Sequence, residues 1–109
     1  MGDSAGDFEK LLLLAVLRLG DDAYGAAIIE ELGRRTGREV SPGAAYVALR
    51  RLEEKGMLRS RTGEPTAERG GRAKRYYAVR RDGLSVLRAA QRDWRAMVEG
   101  LETLLESEA

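Results

Sequence analysis

With 109 residues, 43% of them hydrophobic and 34% charged, and a net charge of +1, the chain has the make-up of one soluble globular domain, neither disordered nor membrane-spanning. The absence of cysteine excludes disulfides, thiolate metal sites and cysteine nucleophiles, and the absence of histidine removes the commonest general base and zinc ligand. Most hydrolytic triads and transition-metal sites fall with them, so no catalytic residue, metal or cofactor is expected.

The first element is a helix from about Asp7 to Leu19. Phe8, Leu11, Leu12, Ala15, Val16 and Leu19 recur at three- and four-residue spacing and form one broad apolar face. The apolar run from Leu11 to Leu17 is too short to span a bilayer. It follows Asp3, Asp7 and Glu9, whereas a secretory signal starts basic, so a cytoplasmic location with no membrane partner is expected. Gly20-Asp21-Asp22 stops this helix, and Asp22 is placed to cap a second one starting near Ala23. The second helix buries Tyr24, Ala27, Ile28 and Leu32 and ends around Gly37. Gly25 so early in a helix is costly by propensity and points to the close approach of a neighbouring backbone.

The third helix has the clearest start. The Ser41 hydroxyl suits an N-cap, and Pro42 sits at the first helical position, where its missing N–H costs nothing. Ala45, Ala48, Leu49 and Leu52 mark the inner face, while Gly43, Tyr46, Val47, Arg50 and Arg51 point outward. Gly56 fits the left-handed position just past the end. Gly43, Ala44 and Ala45 keep the N-terminal end slim, and a slim, positively polarised end approaches phosphates or base edges closely.

Met57 to Thr62 and Arg72 to Val79 read as the two strands of a hairpin, joined by a long basic tip from Gly63 to Gly71. Tyr76 and Tyr77 read as residues that seat this hairpin. The Gly70-to-Lys74 run departs from a phosphate-binding loop, because it lacks the full pattern and leads into a strand.

A final helix from near Asp82 to Leu105 carries Leu84, Leu87, Gln91, Trp94, Val98, Leu101 and Leu105 on one heptad seam. Such a helix is roughly 35 Å long, more than so small a domain covers. Its stripe needs a partner, and a second copy of the chain is the simplest one.

Charge is unevenly distributed. Residues 1–33 balance at −5, residues 34–81 at +9 and residues 82–109 at −3. A basic middle between acidic flanks is the electrostatic footprint of polyanion binding; an Arg-rich solvated surface would look the same.

The order helix, helix, capped helix, basic hairpin, long helix is that of a winged helix-turn-helix, mainly α with a small β-hairpin. Particular residues narrow this. Tyr24-Gly25, the run SPGAAYVALRRLEEKGML from Ser41 to Leu58, ERGGRAKRYYAV from Glu68 to Val79, and Gly83 together resemble the PadR family of bacterial regulators, in its short form. The resemblance covers roughly residues 8–105. It departs where Ala44 and Ala45 replace a frequent Thr-Leu, removing a hydroxyl from the helix tip, and where Arg80-Arg81 replaces a common Thr-Pro.

The resemblance implies a tail at 1–7, a DNA-binding domain at 8–80 and a dimerisation helix at 81–109. It implies a double-stranded DNA partner, a homodimer, and repression from a pseudo-palindromic operator. Ser41, Gly43, Ala44, Tyr46, Val47, Arg50 and Arg51 would then lie at the DNA, with Arg69, Arg72, Lys74 and Arg75 contacting phosphates from the wing. Trp94 either packs the dimer interface or lines a cleft for a small-molecule effector. The rival reading is a winged-helix module that docks another protein and binds DNA without specificity.

Overall fold

The computed structural model describes residues 5–64 and 73–107. Helices α1 (Asp7–Leu19), α2 (Gly25–Thr36) and α3 (Pro42–Glu54) are followed by strands β1 (Leu58–Thr62) and β2 (Arg75–Val79), then by α4 (Arg81–Val98) and a short α5 (Glu102–Glu106). The strands pair antiparallel, Leu58 opposite Val79 and Thr62 opposite Arg75. Arg69 and Arg72, two of the expected wing cations, lie outside the described residues.

The core is where the three helical stripes meet the base of the hairpin. Leu12, Leu13 and Val16 of α1 pack with Ile28 of α2, Leu49 and Leu52 of α3, and Met57 and Leu58, all of them fully buried. Among the described residues no charged or polar side chain is buried with them. At Gly56 the chain takes a φ of 78°, a left-handed turn that glycine adopts without strain, and it feeds α3 directly into β1.

Three expectations about the elements need correction. Asp22 does not cap α2. It ends a 3-10 turn at Gly20–Asp22, and Tyr24, in extended backbone, occupies the cap position with no side-chain hydrogen bond. Tertiary pairing explains this: Tyr24 bridges antiparallel to Tyr76, and the Tyr77 N–H donates to the Ala23 carbonyl at 2.8 Å. The neighbour crowding Gly25 is a side chain and not a backbone, as described below. The last helix is not continuous to Leu105. It starts at Arg81 and ends at Val98, because Gly100 turns the chain with a φ of 88°.

The end of α3 is tied to the start of α1. Lys55 Nζ donates to both Glu9 carboxylate oxygens, at 3.0 and 3.2 Å. Burial pushes the Glu9 carboxyl up, but the hydrogen bond from the Gly6 N–H and the Lys55 ammonium outweigh it, holding the group below the ordinary glutamate value of 4.5. A carboxylate depressed on folding adds stability that is complete above its ordinary value and lost as pH falls through the lowered one. Glu9→Gln is therefore expected to reduce stability at neutral pH and to shrink the decline seen as pH falls below the ordinary glutamate value of 4.5, read by thermal denaturation. Identical declines in the two proteins would show that the pair contributes nothing.

A compact chain of this size has a radius of gyration of about 13 Å. The observed 15.9 Å, with a longest extent of 53 Å, goes with an α4 whose residues from Gln91 to Met97 are all exposed. Gly83 is the one buried residue of α4. No helix among the described residues is long and apolar enough to cross a membrane.

Candidate nucleic-acid interface

The N-terminal end of α3 is built to stand clear of the body. Ser41 Oγ accepts from the Ala44 N–H at 3.3 Å, and Pro42 opens the helix. Ala45, Ala48, Leu49 and Leu52 turn inward, which leaves Gly43, Val47 and Arg50 along the outermost stripe. Ser41 and Ala44 are exposed beside them.

The two flanks of this stripe differ. On one side, Ala44, Val47 and Arg51 border a groove closed by Gly6 and Phe8 at the start of α1. On the other, Tyr46 lies across the first turn of α2. A Cβ on Gly25 would stand 2.5 Å from Tyr46 Cε1 and 2.6 Å from its hydroxyl oxygen, so glycine is what admits the ring. Tyr46 remains 46% exposed despite this contact. It is both a packing residue and a surface residue.

The hairpin stands beside α3. Ser60 Oγ donates to Glu53 Oε2 at 2.7 Å and accepts from Arg75 Nε at 2.9 Å, while Arg75 and Glu53 also form an ion pair at 3.8 Å. Arg75 therefore braces the wing against α3, and part of its charge is offset. Lys74 packs its ammonium on the Tyr24 ring. Tyr77 is buried below; burial pushes its phenol up, as do Glu53 and Tyr46, against the pull of Arg75, so it stays neutral as a packing residue. Not all of the basic middle is available to a ligand, because Arg34 and Arg35 both pair with Glu31 within α2.

The residues expected on the dimer seam are divided. Leu84 and Leu87 are half-buried and face α1, while Gln91 and Trp94 are exposed, Trp94 at 70%. Val98 ends α4, and Leu101 and Leu105 lie beyond the Gly100 turn on α5 and its cap. The structure adds residues that the seam misses. Leu14 and Leu17 of α1 stand exposed across from α4, and with Leu11, Leu84, Leu87 and Trp94 they line an open groove of about 810 Å³. Met97 and Leu104 extend the apolar surface. Their signal was present in the run Leu11 to Leu17, which is apolar nearly all round, whereas a one-sided surface helix has a polar face.

A capped helix with a bare outer stripe, set on a preceding helix and flanked by a hairpin that bridges back to it, defines a winged helix-turn-helix of the DNA-binding class. The transcriptional regulator PadR-like family matches residues 13–89, and the chain belongs to that family. It is a transcription regulator and not an enzyme. Among solved structures it is similar to a PadR family regulator from Eggerthella lenta at 30% identity, over 91% of this chain and 84% of that one, with a TM-score of 0.65. It shares the fold of a PadR family regulator from Clostridium difficile at 23% identity, over 90% and 98% of the two chains, with a TM-score of 0.68. A PadR-like regulator from Bacillus cereus, 22% identical over 93% of each chain, gives a TM-score of 0.69. No curated protein matches the chain.

Proposed function

We propose that this regulator is a cytoplasmic homodimeric repressor that occupies a pseudo-palindromic operator. Residues 8–80 form the DNA-binding head and residues 81–109 the dimerisation arm. The observation that carries the reading is the bare stripe of Gly43, Val47 and Arg50 on a slim, capped helix end beside a basic wing. Through it the N-terminal half of α3 enters the major groove, where Arg50 reaches base edges and Ser41, Ala44 and Val47 lie against the groove wall. Tyr46 and Arg51 contact phosphates from the two flanks. Arg69, Arg72, Lys74 and Arg75 follow the backbone from the wing, Arg75 with the smaller share because of its pair with Glu53.

The dimer arises because Leu14, Leu17 and Trp94, which line one groove, are left exposed by the described residues of the protomer, with Met97 of α4 also exposed. Two-fold symmetry then sets two recognition helices about 34 Å apart, one helical turn of DNA. The groove between α1 and α4, with Trp94 on its wall, is the place for a small-molecule effector, which would act by shifting the angle between the heads.

The reading is tested by Arg50→Ala, whose target side chain is exposed and whose loss leaves the core untouched. On a DNA fragment selected by the wild type, affinity is expected to fall about tenfold to hundredfold, with specificity relaxed at one position. Unchanged affinity and specificity would take the stripe out of the interface.

A further inference from the structure

The outer face of the hairpin carries an arrangement that the seating of the sheet does not require. Tyr24 and Tyr76 meet edge to face, ring centroids 5.7 Å apart, and each ring holds a cation. Lys74 Nζ lies 4.1 Å from the centre of Tyr24, and Arg61 Cζ lies 4.6 Å from the centre of Tyr76. Arg61 and Tyr76 are direct partners in the strand register, and Tyr24 bridges to Tyr76 from the other side. The four residues thus form a row across three extended segments. Gly25, next to Tyr24 in the chain, underlies Tyr46 of α3.

Among the described residues neither Arg61 nor Lys74 forms an ion pair, unlike Arg34, Arg35 and Arg75. A ring face restrains a cation without using its N–H groups, so the ammonium and guanidinium keep their donors for phosphate oxygens. Restraint before binding also lowers the entropy lost on binding.

We infer that Tyr24 and Tyr76 form a platform that presents Arg61 and Lys74 to the DNA backbone as a fixed pair of phosphate-binding cations. Arg61 is a contact residue, and the tyrosines are positioning residues. The inference rests on the DNA-binding reading above and extends it to the outer face of the wing.

The experiment uses the full chain and a mixed-sequence duplex of about 30 base pairs, with affinity measured across salt concentrations, because phosphate binding needs no operator. Arg61→Ala and Lys74→Ala are each expected to weaken binding and to reduce the salt slope by about one for each phosphate no longer neutralised. Tyr24→Phe and Tyr76→Phe, which keep the rings, should match the wild type, whereas Tyr24→Leu and Tyr76→Leu should bind about fivefold more weakly. In the wild type, proton NMR should show ring-shifted side-chain methylenes of Lys74 and Arg61 that stay shifted when duplex is added. This readout needs no substitution and holds even if the leucine variants unfold.

Salt slopes unchanged in both alanine variants, beside a wild type that binds, would overturn this inference and leave the DNA-binding reading standing. Ring shifts absent, or abolished on adding duplex, would overturn the platform. A wild type that binds no duplex even at low salt would end both.

Discussion

Replacing Leu14 and Trp94 together by glutamate is expected to convert the proposed dimer to a species of 12.0 kDa and to remove tight DNA binding. The two side chains lie on different helices yet border one groove, with Trp94 70% exposed and Leu14 44%. Large apolar side chains left in water on two adjoining elements mark an association surface. Charges set on both sides of a two-fold interface meet their own copies there, so repulsion adds to the reduced burial. Neither side chain belongs to the core, so each protomer should stay folded. Separated heads bind independently, and losing the linkage between two half-sites costs about a hundredfold or more in affinity. Sedimentation and DNA titration read the two effects; a variant that stays dimeric would move the interface away from this groove.

Gly83→Ala is expected to lower the melting temperature by about 10 °C, corresponding to about 2 kcal/mol. In a helix with room for a methyl group the same change would be stabilising, because alanine is the better helix former. Here the new Cβ would stand 2.6 Å from the Met57 carbonyl oxygen and 2.8 Å from Val79 Cγ1. That carbonyl is fixed in place, since it accepts from the Arg80 N–H at 2.9 Å. A clash with backbone leaves no side chain to swing aside, so the start of α4 must lift from the sheet. Because α4 carries the proposed dimer face, the tilt would also change the spacing of the two heads. Melting measured at matched protein concentration reads the first effect, and a rise in melting temperature would show that the space is open.

The capped helix was legible because its signals are local. Ser41-Pro42 opens α3, Gly56 closes it, and four apolar residues at helical spacing turn it inward. The hairpin was legible from the β-forming residues of β2, and the bare outer stripe follows from the same helical periodicity. What escaped is set by partners distant in sequence. Asp22 carries a good cap signal, but the bridge from Tyr24 to Tyr76 draws the chain into extended backbone first. Nothing near Gly25 announces that Tyr46 will lie on it. The heptad pattern runs through Gly100 because periodicity counts side chains and is blind to a single positive φ; the glycine itself was the warning. Arg75 reads as a free cation in the sequence, where nothing brings Ser60 and Glu53 beside it.

The most direct test is selection of genomic DNA fragments by the purified protein at physiological salt. Recovery of one pseudo-palindromic sequence is expected, its half-sites about 34 Å apart, bound far more tightly than bulk DNA. Recovery of unrelated fragments, all released by a modest rise in salt, would contradict it. The basic middle would then be a polyanion patch, and the winged helix a surface for another protein.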